Sequence, residues 1–325
     1  MTSEAGHYQK HTGDLRRELR EAMDRGRLAE LQRVSLRRHL AVSLPLLAAL
    51  CANFAALCLW TSPWAWIPLG VLQGFLLFNC TVLLHEVVHR RIVRGGSRPL
   101  EGLLGWVYAL PCGLSKAQFI RWHLDHHAEL GSEEKDPKRT YLSPKRNIRR
   151  LKLLYFTPAL VPIYFRAAAA AARAYEKPLR RRIGLERAVT LGIHLTAALA
   201  ATVFLGPGAL WRAMVFPYLI VFPVAFSLNR LGQHYDIDPE DAARWGTRMR
   251  SSPFWDAAFL WSGNHLEHHY FPGVPFYRLR ALNRALTPFF ERRAIPARGY
   301  GWLLYMYLVR NKRPHTKWEG RGSGK

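Results

Sequence analysis

Four short segments hold nine of the fourteen histidines: His85-Glu86-x-x-His89, His123-x-x-His126-His127, the lone His234, and His265-x-x-His268-His269. On a helix, residues three and four apart share a face, so each multi-histidine segment would present its imidazoles together. Imidazole is a ligand for Zn, Cu, Fe and Ni. Zinc is usually satisfied by three or four protein ligands. Nine histidines instead supply four or five per ion for two ions, and leave each ion an open position for oxygen or water. The expected chemistry is that of a pair of metal ions.

A His-Glu-x-x-His segment alone also marks zinc proteases, where the glutamate is the general base. That reading leaves two further triple-histidine boxes of identical spacing unexplained. Metal-bound imidazoles usually donate their other N–H to a carboxylate or carbonyl. Glu86, Asp125 and Glu267 lie inside the boxes and are the candidates for that supporting catalytic role. Asp236 lies beside His234, and each of the four could equally be an ordinary surface charge. Trp122 and Tyr270 flank the boxes, where core packing is their simpler role.

The segments that must position these groups are strongly apolar. Stretches at about 40–60, 65–85, 187–206 and 209–229 approach the roughly 20 residues that cross a bilayer. They form two hairpins, turning at Thr61-Ser62-Pro63 and Gly206-Pro207-Gly208, both rich in helix breakers. Residues 1–38 are polar and read as an N-terminal cytosolic segment without a signal peptide. Within it, Leu15, Leu19, Met23, Leu28 and Leu31 space out as one amphipathic helix over 12–36, suited to lie on the membrane surface. His39 reads as a snorkelling neighbour of the first span, and His194, inside the third, as a neutral packing residue. Residues 98–114 are too short to span and read as re-entrant or interfacial. Residues 152–172, with Pro158 and Pro162, read as a surface-lying helix. The main domain is placed at 39–310, and the basic, glycine-rich 311–325 is expected to be a disordered tail.

Lys and Arg outnumber Asp and Glu by 47 to 23, a net charge of +24. Nucleic-acid binding would explain the charge but not the apolar runs. A basic face toward anionic lipid and an acidic partner explains both. The two span-to-span turns carry little positive charge, so the positive-inside rule puts the N-terminus, 86–186 and the C-terminal third in the cytoplasm. All nine histidines then converge on one cytoplasmic face. Cys51, Cys58, Cys80 and Cys112 include no C-x-x-C pair and imply neither disulfides nor thiolate ligation.

The motifs His-Glu-Val-Val-His, Arg-Trp-His-Leu-Asp-His-His and Gly-Asn-His-Leu-Glu-His-His-Tyr-Phe-Pro-Gly-Val-Pro resemble those of the membrane-bound fatty acid desaturase and hydroxylase superfamily. The resemblance covers roughly residues 80–280. It implies an all-α integral membrane fold: four transmembrane helices in two hairpins, with a cytosolic helical cap holding a histidine-rich di-metal site. It further implies two iron ions, Fe2+ or Fe3+, with His85, His89, His123, His126, His127, His234, His265, His268 and His269 as ligands. Some members add an asparagine one turn before the extra histidine. Here that position is Arg230, with Asn229 beside it and Asn264 as another polar candidate.

Iron with O2 as co-substrate could break an unactivated C–H bond of a fatty acid, an acyl-CoA or acyl-carrier protein, or an acyl lipid. Arg90, Arg91, Arg94 and Arg121 are candidates for an anionic head group. Electrons would come from an external donor, an acidic ferredoxin or cytochrome b5-like protein docking on the basic face. Desaturation is the expected outcome. Hydroxylation, decarboxylation to a terminal alkene and carotenoid oxygenation are the alternatives, and a non-enzymatic metal-binding membrane protein is the reading from another class. The composition favours a bacterial inner membrane over the endoplasmic reticulum.

Overall fold

A computed structural model describes residues 6–313. Helices dominate, and no strand forms among the described residues beyond one isolated bridge between Met249 and Arg298. In chain order the helices are α1 (His7–His11), α2 (Gly13–Ala22), α3 (Arg25–Leu31), α4 (Leu36–Leu59), α5 (Pro63–Val88), α6 (Arg98–Ala109) and α7 (Lys116–Glu129). There follow α8 (Arg149–Leu154), α9 (Leu160–Ala172), α10 (Lys177–Leu205) and α11 (Pro207–His234). The last are α12 (Pro253–Ala258), α13 (His265–Tyr270), α14 (Leu279–Ala285), α15 (Thr287–Arg292) and α16 (Tyr300–Val309). The chain folds into two compact units interleaved in sequence.

One unit contains Ser35–Trp122 and Leu154–Ser227. Helices α4, α5, α10 and α11 are long and apolar enough to cross a membrane. At about 1.5 Å per residue, even the shortest exceeds the roughly 30 Å hydrocarbon core. Breaks fall where the chemistry requires: Pro63 opens α5, and Gly206, at φ 84°, separates α10 from Pro207 of α11. A side chain at Gly206 would be strained in that left-handed conformation. Helix α5 packs against α4, α6 and the Trp211–Val221 part of α11. Gly70 and Gly74 permit the last contact: an added Cβ would meet Phe216 at 2.6 Å and Val221 at 2.4 Å. Small residues four apart are the usual device for close helix approach in lipid. Asn53 Nδ2 donates to Gln73 Oε1 at 2.7 Å, an amide bond between α4 and α5. Leu185, Leu195, Leu199, Val203 and Phe204 stay exposed on α10, as a lipid-facing helix requires.

The bounds of the spans differ from the sequence reading. Helix α10 begins at Lys177, because Lys and Arg are good helix formers and the basic stretch before the apolar run has no reason to break. Helix α11 runs through His234, so that histidine is its last residue rather than one just beyond it. His39 does not snorkel: it is fully buried and bonds Tyr108 Oη at 2.8 Å. His194 bonds the Thr190 carbonyl within its own helix, as a packing residue would. The 152–172 stretch divides at Pro158, leaving α9 with 13 residues, too short to span.

The other unit contains His123–Leu153, the described residues up to Val34, and those from Leu228 onward. Its amphipathic N-terminal stretch is two helices, α2 and α3, broken at Met23-Asp24, where Asp24 caps α3 through the Arg27 amide. Leu15, Leu19, Met23 and Leu31 are buried, with α2 against α15, so protein rather than lipid covers this face. Lys152 Nζ donates to the carbonyls of Tyr307 and Lys312, and Arg149 to those of Leu308 and Val309. These cations satisfy the carbonyls that α16 leaves open at its C-terminus. The terminal Gly-Arg-Gly-Ser-Gly-Lys lies outside the described residues.

Candidate metal centre

Three elements of this second unit carry the clustered imidazoles. Helix α7 brings His123, His126 and His127 on successive turns, α11 ends on His234, and the six-residue α13 contributes His265, His268 and His269. All three histidines of α13 are buried. The start of α7 is fixed within the first unit, where Glu186 Oε2 accepts from Ser115 Oγ and the Ala117 amide, each at 2.7 Å. That carboxylate satisfies donors the first turn cannot satisfy itself.

His126, His234, His265 and His269 form one cluster. Their ring nitrogens lie within 4.8 Å of one another. Nε2 of His234 is 3.1 Å from Nε2 of His126, 3.1 Å from that of His265 and 3.4 Å from that of His269; His265 and His269 are 3.0 Å apart. Bonds of about 2.0–2.1 Å to a shared metal ion place neighbouring ligand atoms about 2.9–3.4 Å apart. The ring partners support the same fit. His126 Nδ1 faces the Asp136 carboxylate at 2.9 Å, and His234 Nδ1 faces the Trp245 carbonyl at 3.4 Å. Both acceptors assign the proton to Nδ1, which leaves two Nε2 lone pairs pointing at one another. Such an arrangement is repulsive unless a cation lies between them.

A second cluster lies alongside. His123, His127 and His268 bring their ligand atoms within 4.8 Å of one another, with Nε2 of His127 and of His268 at 3.2 Å. The rings of His127 and His269 are 4.4 Å apart, so the two positions are neighbours. His85 and His89, in the other unit, sit one turn apart at the end of α5 with ring centroids 4.8 Å apart. His89 is the residue that caps the helix, so the pair shares one face as its spacing predicts.

Burial lowers the affinity of these rings for protons. His126 is pushed down to about 4 by burial, with Asp136 opposing the shift. His265 and His269 fall well below the ordinary histidine value, again through burial first and then through neighbouring imidazoles. Neutral imidazole is the form that binds metal. Burial alone would raise the Asp136 carboxyl, but His126 and the Lys138 amide carry it below the usual carboxylate value. Lys138, whose Nζ is 3.4 Å from His123 Nδ1, is pushed down to about 7 by burial and by Arg230.

The carboxylates divide differently from expectation. Asp136, ten residues beyond His126, orients an imidazole, and no box spacing marks it. Asp236 instead pairs with Arg298 at 2.7 Å, and Glu267 accepts from Asn283. Burial raises Glu267 to about 7. Glu86 is buried with its carboxylate 3.7 Å from His85 Nδ1, and Asp125 is half-buried. Asn229 donates to Ser262 and accepts from Gln233, while Asn264 donates to the Trp261 carbonyl. Arg230 donates to the Lys138 carbonyl at 2.8 Å. Trp122 packs on Tyr164, and Tyr270 is buried beside Phe289 and Phe290.

Fold and site together define a class: a protein whose described residues are nearly all helical, with four membrane-length helices among them and histidine clusters able to hold metal. The family model described as fatty acid desaturase matches residues 60–301, well over half of the chain, and the chain belongs to that family. Among similar curated proteins is the sphingolipid delta(4)-desaturase DES1 of Drosophila melanogaster. It is 25% identical over 233 residues, covering 70% of this chain and 68% of that protein. The sphingolipid delta(4)-desaturase/C4-monooxygenase DES2 of Bos taurus is 26% identical over 245 residues, with coverage of 70% and 68%.

Proposed function

We propose that this chain is a membrane-bound di-iron oxidase that desaturates the hydrocarbon chain of a lipid, using O2 and electrons from a separate protein. The observation that carries the reading is the pair of adjoining imidazole clusters. In this reading His126, His234, His265 and His269 hold one iron. His123, His127 and His268 hold the other, with His85 and His89 completing its set on the strength of their spacing and the family pattern. Bound iron with dioxygen would supply the oxidising power to remove hydrogen from an unactivated C–H bond.

The chain's own residues do the rest. Asp136 keeps the His126 proton on Nδ1, so its Nε2 lone pair would be free to hold an ion. The Trp245 carbonyl does the same for His234. Burial holds His126, His265 and His269 neutral and keeps bulk water from them. The apolar spans suit a hydrocarbon substrate drawn from the bilayer. By charge distribution the histidine segments belong on the cytoplasmic side, of a bacterial inner membrane or of the endoplasmic reticulum. There the basic surface suits an acidic ferredoxin or cytochrome b5-like donor.

Two similar proteins are named for sphingolipids, which makes a long-chain lipid the first substrate class to try. One of those names also includes a monooxygenase, so hydroxylation is the second reading. The deciding experiment supplies reconstituted protein with ceramide, acyl lipid and free fatty acid, a reductant system and O2, and weighs the products. Loss of two hydrogens supports desaturation and gain of one oxygen supports hydroxylation. Unchanged lipid in every arm would count against both.

A further inference from the structure

We infer that the N-terminal strap Gly6–Thr12, acting through Tyr8, positions the backbone of the three segments that build the four-imidazole cluster. Tyr8 Oη donates to the carbonyl of His269 at 3.1 Å. The Tyr8 ring packs 6.1 Å from that of Trp245, the residue whose carbonyl faces His234 Nδ1. Gly6 lies against Ala128, two residues past His126: a Cβ there would stand 2.4 Å from the Ala128 carbonyl oxygen. Gly6 has φ −64° and ψ 166°, a conformation open to any residue, so its small size answers this contact and not backbone strain. Thr12, fully buried, donates to the Tyr8 carbonyl at 2.6 Å and closes the strap. One short strap thus touches the α7 segment, the Trp245 support of His234, and α13.

Tyr8 is a positioning residue and touches no reacting atom. Burial pushes its phenol up to about 12, so it remains a donor across the whole neutral range. The strap precedes the 60–301 stretch matched by the family model. The inference rests on reading the cluster as a metal position, but its effect on the backbone does not.

The test compares full-length Tyr8→Phe, Gly6→Ala and Gly13→Ala in lipid nanodiscs. Gly13 is the control, since a Cβ there meets nothing within 4 Å. In the iron-loaded protein, a ferrous chelator should remove one of the two ions about five-fold faster from Tyr8→Phe, the factor expected for one lost hydrogen bond, and also faster from Gly6→Ala, whose Cβ would push on the Ala128 carbonyl. Gly13→Ala should match wild type. In metal-free protein, the first two variants should raise amide hydrogen exchange at 126–130, 245–247 and 268–271, and the control should not. Metal release and exchange in Tyr8→Phe and Gly6→Ala that both match Gly13→Ala would overturn the inference. A wild type that retains no iron would refute the metal reading, and the exchange measurement would still decide the strap.

Discussion

Asp136 Oδ1 lies 2.9 Å from His126 Nδ1, and both groups are buried. The contact ties a carboxylate outside every histidine box to one ring of the four-imidazole cluster. Asp136→Ala should therefore lower metal affinity about 10–100-fold, the usual cost of losing an imidazole's outer partner. Asp136→Asn, which keeps an acceptor, should fall between. Competition against a chelator of known affinity measures both, and wild-type affinity in Asp136→Ala would remove this residue from the site.

The metal-free protein should be acid-sensitive in a defined window. His126 titrates at about 4 when folded, below the about 6.5 of an unfolded histidine. Between those values the unfolded chain takes up a proton that the folded chain refuses, so stability falls as pH drops from about 6.5 toward 4. His265 and His269 shift the same way and steepen the slope. Thermal melts of apo protein across this range should show it, and His126→Gln should flatten part of it. Glu267, raised to about 7 by burial, opposes this trend, so the comparison with His126→Gln decides: a variant slope equal to that of wild type would contradict the assigned burial of His126.

Glu186 should matter for the helix it caps. Glu186→Ala leaves Ser115 Oγ and the Ala117 amide without their acceptor, at a cost of about 1–3 kcal/mol. Its ion pair with Arg182, whose side chain is 59% exposed, contributes little. A lower melting temperature for Ala, partly restored by Gln, is the expected result.

The glycine contact between α5 and α11 predicts asymmetry among glycines of the membrane-length helices. Gly74→Val would drive a side chain into Val221 and cost about 1–3 kcal/mol or more. Gly184→Val, on α10 with nothing within 4 Å of a Cβ, should cost less than half of that. Detergent melts of the two variants decide it.

The histidine clusters were legible in sequence because imidazoles gathered on one helix face leave a spacing of three and four, and spacing survives without a structure. Membrane-length helices were legible through apolar length and through proline and glycine at their ends. Asp136 was not, because its role depends on a loop folding back onto α7. The partners Arg298 of Asp236 and Asn283 of Glu267 were not legible either, since both come from segments distant in sequence. The N-terminal amphipathic pattern was real, but amphipathicity records that a face is covered, not whether lipid or protein covers it. His39 reads the same way, since its partner Tyr108 is sixty-nine residues distant.

The most direct test of the whole account is the metal content of purified full-length protein, by elemental analysis with Mössbauer spectroscopy of iron-57-loaded samples. About two iron ions per chain in nitrogen-rich sites are expected. At least one of them should be lost in His126→Ala and in His268→Ala. Zinc alone, or iron retained at wild-type level in both variants, would contradict it.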